Sequence, residues 1–223
     1  MSTFEALQYD PYRLGRGYGE GGDGRDYATG HGEGGPASER VIIGYGFWIF
    51  LLSDIVLFSC FFASFAVLRT ATAGGPSGAE LFEPWRVAAQ TAFLLLSSFA
   101  CGMAAIATRA RSHLWTQVGL FVTGLLGLGF LLLEAQEFAT MIAGGNGPDR
   151  SAFLSSFFAL VGLHGLHVTV GLLWLGTMMI QVYFKGFQAK ILGRLLCFNL
   201  FWHTLDIIWV AIFTVVYLIG VAP

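Results

Sequence analysis

The chain has 223 residues, of which 55% are hydrophobic and only 12% are charged, and its mean hydropathy is +0.67. Soluble domains carry about 25% charged residues, so this composition excludes an ordinary soluble protein and predicts an integral membrane protein. The formal net charge of −2, spread without a basic cluster, argues against a nucleic-acid partner.

Residues 1–40 are rich in glycine and charged residues, and almost no aliphatic residue occurs between Arg16 and Arg40. Such a segment cannot bury enough apolar surface to offset the entropy lost on ordering, so we expect a largely disordered tail. The segment contains no apolar h-region, and we therefore expect no cleavable signal peptide. The chain accordingly divides into a Gly-rich tail, 1–40, and a membrane domain, 41–223.

Five apolar spans follow the tail, each long enough to cross about 30 Å of hydrocarbon as a helix. They are predicted at 42–68, 87–108, 115–143, 152–183 and 195–219. Because the connections are short, the sequence predicts an all-α, up-and-down bundle of five transmembrane helices. Three cysteines fall inside the spans without metal-ligand spacing, and we expect small buried residues rather than disulfides. These are Cys60, Cys101 and Cys197.

The distribution of lysine and arginine predicts the orientation of the bundle. The tail, the second loop and the fourth loop hold most of these residues, namely Arg13, Arg16, Arg25, Arg40, Arg109, Arg111, Lys185, Lys190 and Arg194. The first and third loops hold only Arg69, Arg86 and Arg150. The positive-inside rule therefore predicts a cytoplasmic N-terminus and a periplasmic C-terminus.

Polar and ionisable side chains occur at depth in four of the five spans. They are Asp54, Glu134, Glu137, His164, His167, Asn199, His203 and Asp206. A charged residue at the centre of a membrane helix costs about 2.5–3.5 kcal/mol, so we expect these groups to face the bundle and pair with one another. His164 and His167 share one helix face, whereas Gly162 and Gly165 point to the other face and should let a neighbouring backbone come close.

Two cofactor sites are compatible with these spacings. Glu134 and Glu137, together with His164 and His167, have the residue types of a two-metal site, but the Glu-x-x-His motif usual in such bundles is missing. Alternatively, His203 and either His164 or His167 would ligate a haem through two imidazoles.

Two further interpretations need no bound cofactor. One is a proton or ion pathway through Asp54, Glu137 and Asp206, because intramembrane carboxylates often mark such a pathway. The other interpretation is an internal hydrogen-bond network in which a carboxylate orients a histidine and fixes the helix register. A proton-coupled transporter is disfavoured, because five helices cannot form a 3+3 inverted repeat. The second span has no charge in its core and is expected to be a packing helix.

Several motifs occur in order along the spans and carry a family resemblance. They are WIFLLSD at 48–54, LLLSS at 94–98, LEAQEF at 133–138, SSFF at 155–158, GLHGLHV at 162–168 and FWHTLDIIW at 201–209. From about residue 41 to 220 the chain resembles subunit III of the haem–copper respiratory oxidases. Five spans instead of seven resemble the bacterial forms, especially the cytochrome bo-type ubiquinol oxidase branch. Two residues depart from the family pattern: Glu134 stands where cytochrome c oxidase members often have Gln, and Thr204 where Phe is usual.

The resemblance implies a non-catalytic accessory subunit, without catalytic, cofactor-binding or metal-binding residues of its own. It implies that the haems and copper belong to subunit I, which disfavours the metal and haem sites above. The expected partners are subunit I by direct packing, subunits II and IV within the complex, and phospholipid. The expected role is to stabilise subunit I and support proton uptake by a proton-pumping ubiquinol oxidase of the bacterial inner membrane. The alternatives are a cytochrome c oxidase subunit III and a small bis-histidine membrane cytochrome.

The eight residues named above then form a buried polar network, or contact lipid head groups. They are Asp54, Glu134, Glu137, His164, His167, Asn199, His203 and Asp206. The resemblance does not settle which carboxylate pairs with which histidine, because Glu134 adds a second intramembrane carboxylate beside Glu137. The pairing therefore stays open at this point.

Overall fold

The computed structural model describes residues 39–76 and 78–218. The predicted disordered tail lies outside the described residues, apart from the last two positions of 1–40, which already belong to the first helix. The described helices are α1 (Glu39–Leu68), α2 (Gly78–Leu81), α3 (Pro84–Arg109), α4 (His113–Ala143), α5 (Ala152–Lys185) and α6 (Ala189–Ile212). A π-helical segment, Phe213–Leu218, continues α6.

Among the described residues, five helices are long and apolar enough to cross a membrane: α1, α3, α4, α5 and α6 with its π-helical continuation. No strand occurs in 39–76 or 78–218. For the part of the chain that the structure describes, the prediction of an all-helical fold with five spanning helices is confirmed. The last helix begins at Ala189, whereas the predicted last span begins at 195. Lys190 and Arg194 lie on its first turns, which is possible because long basic side chains at a span end reach the polar interface.

Local sequence explains several helix ends. Pro84 occupies the first turn of α3, where its missing N–H costs no hydrogen bond. Ser151 caps α5, because its hydroxyl oxygen accepts a hydrogen bond from the Leu154 N–H at 3.2 Å. Gly186 has a positive φ of 65° directly after α5, so the chain turns there and α6 starts three residues later.

Contacts between helices show that successive spans run in opposite directions. Gln90 near the start of α3 bonds Glu137 near the end of α4, whereas Thr108 near the end of α3 contacts Thr116 near the start of α4. The same reversal holds for α5 and α6, which are linked by Gln181 and Arg194. α1 packs mainly against α5 and α6. The order of the helices around the bundle therefore differs from their order along the chain.

The two ends of the bundle differ in charge. One end, formed by residues 110–112 and 186–188 and the adjoining helix ends, is called the basic end. It carries Arg109, Arg111, Lys185, Lys190 and Arg194. The opposite end is formed by residues 69–76, 78–83 and 144–151. α6 is the most buried of the five spans and α1 is the least buried. α6 is therefore the central helix of the bundle.

Glycines allow the closest helix contacts. A Cβ on Gly119 would lie 2.8 Å from the Ala104 Cβ, so the backbones of α3 and α4 approach closely there. The indole of Trp202 on α6 fills a slot between α4 and α5. A Cβ on either Gly127 or Gly171 would lie 2.9 Å from this ring. Two glycines on separate helices therefore make room for one tryptophan.

Candidate functional site

The polar side chains predicted from the sequence separate into three groups in the structure. One group lies between α1 and α5, one between α3 and α6, and one between α3, α4 and the π-helical segment. His164 lies apart from these groups, against aromatic rings.

Asp54 and His167 form the pair between α1 and α5. The Asp54 Oδ2 and the His167 Nε2 are 3.9 Å apart, and both side chains are mostly buried. The His167 Nδ1 lies 2.8 Å from the Leu163 carbonyl oxygen, so it donates to this oxygen and leaves Nε2 directed at the carboxylate. The 3.9 Å contact is longer than a hydrogen bond, and it is an ion pair only when His167 carries protons on both ring nitrogens. It places a carboxylate of α1 beside a histidine of α5, the type of contact expected of a network that fixes helix register.

His164 is fully buried among aromatic side chains. Its ring lies 5.3 Å from Trp209 and 5.7 Å from Phe130, measured between centroids, and Phe58 contacts both His164 and His167. Neither ring nitrogen of His164 has a hydrogen-bond partner among the described residues. The two histidines share a helix face as predicted, but only His167 meets a carboxylate.

The row between α3 and α6 consists of four side-chain hydrogen bonds, called the α3–α6 row. They join Thr91 to Trp209 at 3.1 Å, Ser97 to Trp202 at 3.0 Å, Ser98 to His203 at 2.7 Å and Cys101 to Asn199 at 3.4 Å. Each indole N–H donates to a hydroxyl oxygen, and Ser97 in turn donates to the Thr123 carbonyl of α4. The row holds three helices in register.

Asp206 extends the same face of α6 by one turn beyond His203. It is half-buried, and its Oδ1 has no hydrogen-bond partner in the described part of the chain. The predicted stripe of Asn199, His203 and Asp206 therefore exists on one face. Its first two members bond α3, which the sequence assigned only to packing.

Glu134 and Glu137 belong to the third group, together with Gln90 of α3 and Tyr217 of the π-helical segment. All four side chains are buried. The Gln90 Nε2 donates to the Glu137 Oε2 at 2.8 Å. We call these four residues the acid cluster.

Gly165 was expected to let a neighbouring backbone come close, and this prediction is wrong in detail. The group that faces Gly165 is the Glu134 carboxylate, whose oxygen would overlap a Cβ placed there. Gly162 faces the ring of Phe138 at 3.6 Å. Gly162 and Gly165 thus make room for side chains of α4 rather than for its backbone.

The described residues contain no group of three or more His, Cys, Asp or Glu side chains that is arranged to hold a metal ion. His164 faces Trp209 and Phe130, whereas His203 bonds Ser98 of α3. Glu134 and Glu137 bond or contact α3 and α5, and neither forms a hydrogen bond to a histidine.

Comparison with known proteins decides the family. The family model of cytochrome c oxidase subunit III matches residues 25–221. Cytochrome bo(3) ubiquinol oxidase subunit 3 of Pseudomonas aeruginosa is 47% identical over 197 residues, which cover 88% of this chain and 91% of the relative. The chain belongs to the cytochrome c oxidase subunit III family. The family resemblance drawn from the motifs is confirmed.

Two further relatives of this subunit III belong to oxidases named for different electron donors. Quinol oxidase subunit 3 of Bacillus subtilis is 44% identical over 175 residues, which cover 78% of this chain and 86% of the relative. Cytochrome c oxidase subunit 3 of Bacillus sp. strain PS3 is 42% identical over 175 residues, which cover 78% and 84%. These bacterial relatives and the five spanning helices make the chain a multi-pass protein of the bacterial inner membrane.

Sequence reasoning missed Gln90, Ser98 and Tyr217 as members of the polar groups of this subunit III. A signal for the first two was present, because polar residues recur on α3 at helical spacing. They are Gln90, Thr91, Ser97, Ser98 and Thr108. Spacing of this kind places polar side chains on one helix face, even where no residue is charged. Tyr217 had no such signal, because its position depends on the π-helical turn.

Proposed function

We propose that this subunit III is a non-catalytic accessory subunit of a proton-pumping terminal oxidase that oxidises ubiquinol and reduces oxygen. The observation that carries the proposal is the nearly full-length similarity to the Pseudomonas ubiquinol oxidase subunit. The structure supports an accessory role, since five of the eight polar side chains at depth bond or contact a side chain of another helix. In this assignment the haems and copper belong to subunit I, and this chain supplies a scaffold.

The test is purification of the complex through a tag on this chain, followed by activity with two electron donors. We expect subunits I, II and IV to co-purify and ubiquinol to support oxygen consumption. A matched preparation, tagged on subunit I from cells lacking this chain, should retain the haems but have lower yield or turnover. Activity with reduced cytochrome c and not with ubiquinol would contradict the quinol assignment. That result would support the alternative indicated by the strain PS3 relative.

We also propose that the basic end faces the cytoplasm. The loops at this end carry more lysine and arginine than those at the opposite end, and the positive-inside rule relates this excess to the cytoplasmic side. Alkaline phosphatase fused after Pro223 should then be active, whereas a fusion in the α3–α4 turn at Arg111 should be inactive. The reverse pattern would refute the orientation.

Phospholipid binding has a candidate location at the basic end. A cavity of about 410 Å³ lies between α1, α3 and α6, within the size range of small-molecule sites. Its walls are largely apolar and include Phe47 and Trp174, while Arg109, Lys190 and Arg194 also line it. We propose that an anionic phospholipid places an acyl chain in this cavity and its phosphate near the three cations.

Charge reversal at this cavity tests the lipid proposal. Lys190→Glu combined with Arg194→Glu should lower the amount of anionic phospholipid that co-purifies with the complex, because a phosphate would then meet two carboxylates. The matched control is Lys185→Glu, an exposed charge at the same end that does not line the cavity. Lipid is measured as phosphorus per complex and by mass spectrometry. Equal lipid content in the double variant and the control would refute the proposal.

A further inference from the structure

The acid cluster lies inside the bundle, and all four of its side chains are almost completely buried. The exposed fractions are 0% for Gln90, 4% for Glu134, and 5% each for Glu137 and Tyr217. The four side chains come from α3, α4 and the π-helical segment. The only hydrogen bond formed among them is the 2.8 Å contact from Gln90 to Glu137.

Three polar atoms of this cluster have no hydrogen-bond partner in the described part of the chain. They are the Gln90 Oε1, the Glu134 Oε2 and the Tyr217 hydroxyl. The hydroxyl lies near the Glu137 carboxylate, but the two do not have hydrogen-bond geometry. Each unpaired buried group costs about 1–3 kcal/mol, so three around one pair of carboxylates indicate a ligand that pairs with them.

Repulsion between the two glutamates limits how many of them can be ionised. Glu134 and Glu137 are three residues apart on one helix face, where side chains are about 6 Å apart, and two negative charges there repel by roughly 3 kcal/mol at an effective dielectric constant of 20. Arg86, in the first turn of α3, pairs with Glu83 at 3.3 Å and forms no ion pair with Glu137. The other ionisable groups nearby are Tyr217 and, beyond Gly165, His164. The pair is therefore more stable when at least one of the two carboxyl groups holds a proton.

The contacts decide which carboxylate holds the proton. Glu137 accepts a hydrogen bond from the Gln90 amide, so its carboxyl group already has a donor. The Glu134 Oε2 has no donor, and its carboxyl group lies against Gly165. A proton on Glu134 turns this unpaired acceptor into a donor.

We propose that the acid cluster binds one ordered water molecule and keeps Glu134 protonated beside an ionised Glu137. The water accepts hydrogen bonds from the Glu134 carboxyl and the Tyr217 hydroxyl. It donates to the Gln90 Oε1 and to the Glu137 carboxylate. These four bonds satisfy all three unpaired atoms and match the two to four bonds that buried waters form. The cluster thus holds a proton inside the accessory subunit, a property that does not depend on the oxidase assignment.

Infrared spectroscopy of the purified complex tests the proton. The wild type should show a protonated-carboxyl C=O band that shifts to lower frequency in D₂O. Glu134→Gln should remove this band, whereas Glu137→Gln and the exposed control Glu83→Gln should retain it. Retention of the band in Glu134→Gln, or its loss only in Glu137→Gln, would overturn the assignment.

A second variant and a density map keep the proposal testable if Glu134→Gln fails to assemble. Tyr217→Phe leaves both carboxyl groups in place but removes one donor to the water, so the Glu134 band should shift in frequency. A map of the wild-type complex should show one water density within hydrogen-bond distance of Glu134, Gln90 and Tyr217. An unshifted band in Tyr217→Phe, or a map without this density at a resolution that shows other buried waters, would overturn it.

Discussion

Replacing Trp202 with alanine is expected to lower the free energy of unfolding of the bundle by about 3–5 kcal/mol. The indole is 1% exposed and fills the slot between Gly127 and Gly171, so its removal leaves a cavity that neither glycine can fill. Helices in a membrane associate through packing contacts rather than through transfer from water, so this lost packing is a direct loss of association energy. The hydrogen bond to Ser97 is lost as well.

The measurement is the temperature at which the detergent-solubilised complex loses this chain. Trp115→Ala is the matched control, because Trp115 lies at the start of α4 with 66% of its surface exposed and should change stability by less than about 0.5 kcal/mol. Trp202→Phe should be intermediate, since it keeps most of the packing and loses the bond to Ser97. Equal losses for Trp202→Ala and Trp115→Ala would show that the slot does not stabilise the bundle.

The sequence predicted the number of spans and the inward-facing polar residues, but not the pairing between helices. A charged residue is costly in hydrocarbon whichever helices surround it, so the sequence alone predicts that Asp54 and Glu137 face the bundle. Pairing depends on which helices are neighbours. α1 packs against α5 and α6, and this arrangement brings Asp54 to His167. Short loops predict that neighbours are antiparallel, but they do not place the first helix.

The position of Trp202 shows a second limit of the sequence. Gly127 and Gly171 are ordinary glycines in apolar helices, and nothing in their local sequence indicates a shared partner. Their role appears only when α4 and α5 lie side by side with α6 across both. Gln90 is a similar case, because an uncharged amide on a packing helix becomes the donor to Glu137 once α3 and α4 are antiparallel.

Replacing Gly171 with leucine should have the second large effect, through overpacking of the same slot. A Cβ at this position would lie 2.9 Å from the Trp202 ring and 3.2 Å from Phe201, and both rings are buried. Rigid rings cannot move aside as the end of a flexible chain does, so α5 and α6 must separate. Overpacking of this kind costs about 1–3 kcal/mol, and leucine should reach the upper end of the range. The yield of complex containing this chain measures the effect.

Gly176→Leu is the matched control on the same helix, because a Cβ there would meet no atom within 4 Å. It should leave the yield unchanged or raise it slightly, since leucine favours the helical conformation more than glycine does. Coupling with the tryptophan provides the sharper test. Gly171→Ala should cost less in a Trp202→Phe background than in the wild type, because the smaller ring leaves room for the added methyl group. Additive effects of the two substitutions would mean that Gly171 and Trp202 stabilise the bundle independently, contrary to the contact between them.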